Sequence, residues 1–246
     1  MKCFRMTLAY EGTRYRGWQK QGNTPDTIQG KLEALLSRLL EQPVEVHGSG
    51  RTDAGAHARR QVASFRAETE RTAAELLPLI RRYLPEDIGL LELAEAAPRF
   101  HARLNCVGKT YVYRLWTGEA PNVFERRLLW SLPGAALDTE RMREAAALLL
   151  GEHDFRAFCS LKRFKKSTVR RVDEIKIERL GDEIRFTVSG SGFLYNMVRI
   201  LVGTLVEVGL GERSPGSVGE ALASLDRQQA GQTAPAQGLI LWDVRY

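Results

Sequence analysis

Cysteine is scarce: the 246 residues hold three, Cys3, Cys106 and Cys159, odd in number, far apart and without a Cys-x-x-Cys pair. Neither a disulfide framework nor a thiolate zinc site is suggested. Long hydrophobic runs are missing too. The best candidate, Phe193 to Val206, carries Asn196 and Arg199 inside it and falls short of the ~20 apolar residues of a membrane span. Met1-Lys2-Cys3-Phe4-Arg5 runs directly into strand-like sequence, with no extended apolar segment and no small-residue cleavage site of a signal peptide. A cytoplasmic protein with no membrane association is expected. There is no detectable sequence repeat, no Pro/Gly/Ser-rich linker and no charged tail. The net charge of +6 is spread evenly, with 16 basic and 13 acidic residues in 1–104 and 20 and 17 in 105–246. Its sign suits a polyanionic partner, but any basic surface has to be built by folding.

What is present alternates between strand and helix. Phe4 to Tyr10 reads as a strand, and Ile28, Leu32, Leu35, Leu36, Leu39 and Leu40 keep the spacing of an amphipathic helix, for which Asp26 and Gln29 form a cap-like start. Strands over Val44 to Val46 and Gln61 to Phe65 flank a glycine-rich loop. A helix from Ala73 to Tyr83 is halted by Pro85, and Ile88 to Leu93 closes the first half. The second half begins with the strand Thr110 to Trp116. It continues through a helix over Thr139 to Leu150, strands near Val172 to Ile177 and Ile184 to Val188, a buried helix from about Leu194 to Val208, and a last strand over Leu239 to Val244. Several strand pairs are close enough for hairpins, so antiparallel or mixed sheets with helices packed on one face are favoured over a doubly wound parallel sheet. The expectation is an α+β protein of two similar domains, 1–104 and 105–246.

Four stretches could carry chemistry. In Gly48-Ser49-Gly50-Arg51-Thr52-Asp53-Ala54-Gly55-Ala56-His57, three glycines within eight residues allow tight backbone and close approach of a ligand. Asp53 at its centre could be a nucleophile or general base, oriented by Arg51 two residues away. Equally, the stretch could be an Asx-type turn tied by an Arg–Asp bridge. Asp53, His57 and His47 are metal-ligand residue types, but their spacing matches no metal motif. In Tyr10 to Gln21, Arg14, Arg16 and Lys20 interleave with Tyr15 and Trp18, either for phosphate contact and base stacking or as a loop whose aromatics pack on the core. Lys162-Arg163-Phe164-Lys165-Lys166-Ser167-Thr168-Val169-Arg170-Arg171 holds six basic residues and no acid, which suits phosphate contacts or simply faces solvent. Arg199 lies in the apolar helix, where burial calls for a carboxylate partner, Asp53 being one candidate, unless the side chain reaches the surface.

Taken together, Tyr10-Glu11-Gly12, Gly17-Trp18-Gln19, Gly50 to His57, Phe100-His101-Ala102-Arg103, Lys109 to Tyr113 and Met197-Val198-Arg199 resemble the tRNA pseudouridine synthases of the A type, over essentially the whole chain. The resemblance implies two α/β domains with mostly antiparallel sheets joined across a basic cleft. It also implies a homodimer sharing one tRNA, and isomerisation of uridine at positions 38, 39 and 40 of the anticodon stem-loop with no cofactor and no metal. The family's catalytic aspartate matches Asp53, its charge partner Arg51, its base-stacking tyrosine Tyr111 and its core arginine Arg199. Arg14, Lys165 and Lys166 are expected RNA contacts on charge alone.

Overall fold

The computed structural model describes residues 1–246, and the chain divides into two compact units, Met1–Val107 together with Leu241–Tyr246, and Gly108–Ile240. The first unit contains β1 (Lys2–Tyr10), α1 (Ile28–Leu40), β2 (Val46–Gly48), β3 (His57–Ala67), α2 (Ala73–Tyr83) and β4 (Ile88–Ala96). β1 is central, antiparallel to β3 on one side and to β4 on the other, and β2 pairs antiparallel with β3. The two-residue period of β1 puts Phe4, Met6, Leu8 and Tyr10 on one face, all buried. In register with Phe4, Phe65 of β3 stacks on it at 4.9 Å between ring centroids. α1 buries Ile28, Leu32 and Leu36 and packs against β2 and α2, while α2 packs against β4. The cap of α1 is Thr27, whose hydroxyl accepts from Gly30 N; Asp26, the expected cap, instead pairs with Lys31 at 2.8 Å.

The second unit contains β5 (Gly108–Trp116), β6 (Trp130–Ser131), α3 (Thr139–Ala147), β7 (Gly151–Asp154), β8 (Val169–Leu180), β9 (Glu183–Gly190), α4 (Met197–Gly209) and α5 (Gly216–Ser224). Its strands run β5-β9-β8-β7, all antiparallel, with β6 parallel to β5. α4 is buried nearly all round, as its sequence requires, and the extended segment Gly231–Ala234 lies along it: Gly231 N donates to Thr204 Oγ1 (2.9 Å), Gln232 N to Glu207 Oε1 (2.7 Å) and Ala234 N to Arg199 O (3.1 Å). The helix begins three residues later than expected because Asn196 takes a left-handed conformation at φ 62°. β6, β7 and α5 had no counterpart in the sequence reading, being two, four and nine residues long and, for α5, opened by glycine and serine.

The last strand, β10 (Leu239–Arg245), starts in the second unit, but from Leu241 onward it groups with the first. The expectation gave it wholly to residues 105–246. Specific contacts explain the return: the Trp242 ring lies under Arg59 at 4.3 Å, Asp243 faces Arg60 at 3.6 Å, and the Tyr246 hydroxyl donates to Ala102 O at 2.7 Å. The architecture is mixed α+β with mostly antiparallel pairing. No helix is long and apolar enough to cross a membrane.

Candidate active site

β2 ends at Gly48 and β3 begins at His57, so the glycine-rich stretch is the loop between two paired strands. Asp53 stands in its middle, half-buried, with its carbonyl accepting from Ala56 N at 3.1 Å across a turn in which Gly55 takes φ 79°. The segment after β1 is laid on this loop. Trp18 N donates to Thr52 O (3.1 Å) and Gly55 N to Tyr15 O (3.2 Å), so each side of Asp53 is tied to the same neighbouring chain. Two glycines make that approach possible. At Gly12 a Cβ would lie 1.9 Å from Ala56 O, and at Gly17, where φ is +92°, 2.8 Å from Thr52 O.

This docking settles the two readings of the N-terminal aromatics in favour of the core. Trp18 is 2% and Tyr15 5% exposed, so both rings pack in the core and hold the Asp53 loop through the chain that carries them. The Tyr15 hydroxyl donates to Asp87 (2.6 Å), which also takes Arg14 at 2.8 Å. Burial, reinforced by Asp87, raises the phenol of Tyr15 and keeps it protonated. Arg14, an expected RNA contact, is thus engaged by a carboxylate although its side chain stays largely exposed.

Beneath the loop sits a buried polar cluster. Gln61 of β3 accepts the Ser49 hydroxyl on Oε1 (2.6 Å) and donates from Nε2 to Gly50 O (3.1 Å) and to the Tyr10 hydroxyl (3.4 Å), and Tyr10 bonds the Thr52 hydroxyl at 2.8 Å. Burial pushes the Tyr10 phenol up to about 12, against the pull of its bonds to Thr52 and Gln61, so it remains a donor. On the flank, Arg51 Nε donates to Gln19 Oε1 (3.0 Å), Gln19 to Gln29 (2.7 Å) and Gln29 to Glu33 (3.0 Å), the last of which also takes Lys20 (2.9 Å) and Val46 N (3.1 Å). The Nε of Arg51 is therefore held by a glutamine chain rooted in α1.

His57 is buried and its Nδ1 accepts the Gly12 amide at 2.9 Å, His47 stacks on His101 at 4.6 Å, and no three His, Cys, Asp or Glu side chains gather as a ligand set. His57 is instead a post between β3 and the Gly12 turn.

In the second unit, Tyr111 occupies β5 opposite Val188 and meets the Phe193 ring edge-on at 5.3 Å. Arg199, half-buried on α4, donates from Nε to Ala234 O (2.7 Å) and from Nη1 to Asn196 Oδ1 (2.9 Å). The segment lying along α4 therefore also fixes its arginine. The basic run divides in use. Arg170 donates to the Ser167 and Val169 carbonyls, Arg171 pairs with Asp173 (2.9 Å), and Phe164 lies under Arg156 at 5.6 Å. Lys162, Arg163, Lys165 and Lys166 are exposed and enter no ion pair. Gln61, Gln19 and Asp87 went unremarked in the sequence as site residues. The available signal was indirect, in Gly12 and Gly17, where another segment of the same chain comes close.

A family model described as tRNA pseudouridine synthase matches residues 6–104 and 145–246. "tRNA pseudouridine synthase A" of Brevibacillus brevis is 44% identical over 248 residues, and "tRNA pseudouridine synthase A 2" of Bacillus cereus (strain ZK / E33L) is 39% identical over 246, each alignment covering 100% of both chains. Among solved structures there is a weak likeness to "Crystal Structure of a Cbf5-Nop10-Gar1 Complex", with TM-score 0.38 and 17% identity over 97% of this chain and 48% of that one. On the family match and these full-length identities, the chain belongs to the tRNA pseudouridine synthases, enzymes that isomerise uridine in tRNA.

Proposed function

We propose that this enzyme converts uridine to pseudouridine at positions 38, 39 and 40 of the tRNA anticodon stem-loop, with Asp53 as its catalytic residue. The observation that carries the assignment is the loop itself. It holds a half-exposed carboxylate at the centre of a turn tied on both sides to the Tyr15–Trp18 segment. Such anchoring suits a group that must meet a reacting atom within a fraction of an ångström.

In the reaction the N1–C1′ bond breaks, the uracil turns, and a C5–C1′ bond forms. C5 then loses its hydrogen as a proton and N1 gains one, so the product is an isomer. A carboxylate serves this by attacking the base, by attacking the ribose, or by removing the C2′ proton, and each route needs it anionic and fixed. A base stacked in a stem is out of reach, so the uridine has to be extruded, and Tyr111 is the residue assigned to stack on it. Arg51 and Arg199 are assigned to supply positive charge for the reaction, and Arg14, Lys165 and Lys166 to bind the RNA backbone. We further assign it a cytoplasmic homodimer that works on one tRNA at a time and needs neither cofactor nor metal.

Release of tritium from tRNA labelled at uridine C5 tests the reading directly. Wild-type protein should release it in the presence of a chelator, with the label lost from positions 38 to 40, while Asp53→Asn should bind tRNA within a few-fold of wild type and release none. Turnover by Asp53→Asn would overturn the assignment of Asp53. Release confined to uridines elsewhere in the tRNA would overturn the target positions. A monomer by light scattering at working concentration would remove the dimer.

A further inference from the structure

Gln61 is fully buried, makes no contact with solvent, and lies in the middle of β3, where a strand residue facing the core is ordinarily apolar. Burying a primary amide without partners costs on the order of 1–3 kcal/mol, so its presence calls for a complete set of hydrogen bonds. The set is unusual in where it goes. Oε1 receives the Ser49 hydroxyl at 2.6 Å, and Nε2 donates to Gly50 O at 3.1 Å and reaches the Tyr10 hydroxyl at 3.4 Å. Tyr10, receiving from Gln61, is hydrogen-bonded in turn to Thr52 Oγ1 at 2.8 Å. One side chain thus grips residues 49 and 50 directly and residue 52 through one phenol, all within four residues of Asp53. Ser49 N is also fixed, donating to Val62 O at 2.7 Å, so the near end of the loop is bound to β3 by backbone as well.

We infer that Gln61 is a positioning residue for the isomerisation, acting through Ser49, Gly50, Tyr10 and Thr52 to hold the backbone that carries Asp53. The inference rests on the assignment of Asp53 as catalytic residue. None of the four side chains in the cluster is exposed, so none can touch the tRNA, and their effect on rate has to pass through the loop. Cooperative bonding in a buried network makes the effect of removing one member exceed that of one isolated hydrogen bond. A displacement of the carboxylate by about 1 Å lowers a rate on the order of a hundredfold while leaving remote binding contacts intact.

The test compares Gln61→Met, Tyr10→Phe and Ser49→Ala with wild type and Asp53→Asn. Each is measured for tRNA affinity by filter binding, for single-turnover tritium release from C5-labelled tRNA, and for thermal unfolding. Tyr10→Phe and Ser49→Ala remove one oxygen each and keep the test available if Gln61→Met does not fold. The expected result is affinity within about twofold of wild type, a single-turnover rate reduced tenfold or more well below the unfolding temperature, and a Tyr10→Phe/Ser49→Ala double variant falling short of the product of the single losses, as members of one network do. Folded variants that react within twofold of wild type, beside an inactive Asp53→Asn, would overturn the role of Gln61 and leave Asp53 standing. So would rate and affinity falling together in step with stability. An active Asp53→Asn would remove the assignment on which the inference stands.

Discussion

Replacing Gly12 by alanine perturbs the Asp53 loop without substituting any residue in it. The new Cβ would lie 1.9 Å from the carbonyl oxygen of Ala56 and 2.8 Å from its carbon, where a tolerable approach is about 3.4 Å or more. One of the two strands of chain has to retreat by more than 1 Å. On one side, the Gly12 amide is bonded to the buried His57 ring at 2.9 Å and the Gly12 carbonyl accepts from Tyr15 N at 2.9 Å. On the other, Ala56 N is bonded to Asp53 O at 3.1 Å. Displacement of Ala56 is therefore passed to Asp53 through the turn. Overpacking of this kind costs about 1–3 kcal/mol, which in a chain of this length lowers the melting temperature by roughly 2–12 °C. The rate effect should be larger than the stability effect, on the order of a hundredfold, because about 1 Å of misplacement is enough for that. Differential scanning fluorimetry and single-turnover tritium release at 25 °C separate the two. Gly22→Ala is the control, since nothing lies within 4 Å of its added carbon. A Gly12→Ala enzyme that reacts at the wild-type rate would show that the close approach at Gly12 does not set the position of Asp53.

Lys165 and Lys166 are exposed and unpaired with any acid, so changing each to glutamine should lower the slope of log Kd against log salt for tRNA by about 1 for every phosphate the lysine neutralises; an unchanged slope means the run only faces solvent. Arg114 on β5 binds Glu183 at 2.7 Å and Glu125 at 3.0 Å. Burial opposes ionisation of Glu183, but Arg114 and Arg185 prevail and hold its carboxyl below the ordinary 4.5; Arg114 does the same for Glu125. A depressed carboxyl stabilises the fold fully above its unfolded-state value and forfeits that contribution as pH falls through its folded-state value. Wild type should therefore destabilise faster than Glu183→Gln below about pH 4.5, while at pH 7, with Glu125 still paired to Arg114, the variant should be weaker by about 1–2 kcal/mol. Parallel pH profiles of the two melting temperatures would refute this.

The parts of the molecule readable from sequence were those whose signal is local in the chain. α1 and α4 follow from apolar spacing, β1 from the alternation of Phe4, Met6, Leu8 and Tyr10, and β5 from a β-branched and aromatic run, because burial of a face leaves its period in the residues themselves. The Asp53 loop was visible through its glycines, which record backbone requirements. What the sequence concealed was which face a polar or aromatic side chain turns toward. Trp18 and Tyr15 stand among arginines and a lysine and look like a nucleic-acid surface, yet both are in the core, because the chain around Gly17 folds over the loop. Arg51 stands two residues from Asp53, and nothing in that spacing announces that its Nε is bonded to Gln19, thirty-two positions away. Gln61 looked like one polar residue in a strand, and its partners come from two separate places in the chain, Tyr10 and the Ser49-Gly50 pair. A hydrogen bond between distant segments leaves no period behind, so it is in the polar support of the loop, more than in the loop, that the fold adds to what its residues announce. Because that support is buried in the first unit and is assembled from residues 10, 49, 52 and 61, substitutions there should change the isomerisation rate while leaving the exposed basic surface, and hence tRNA affinity, as it was.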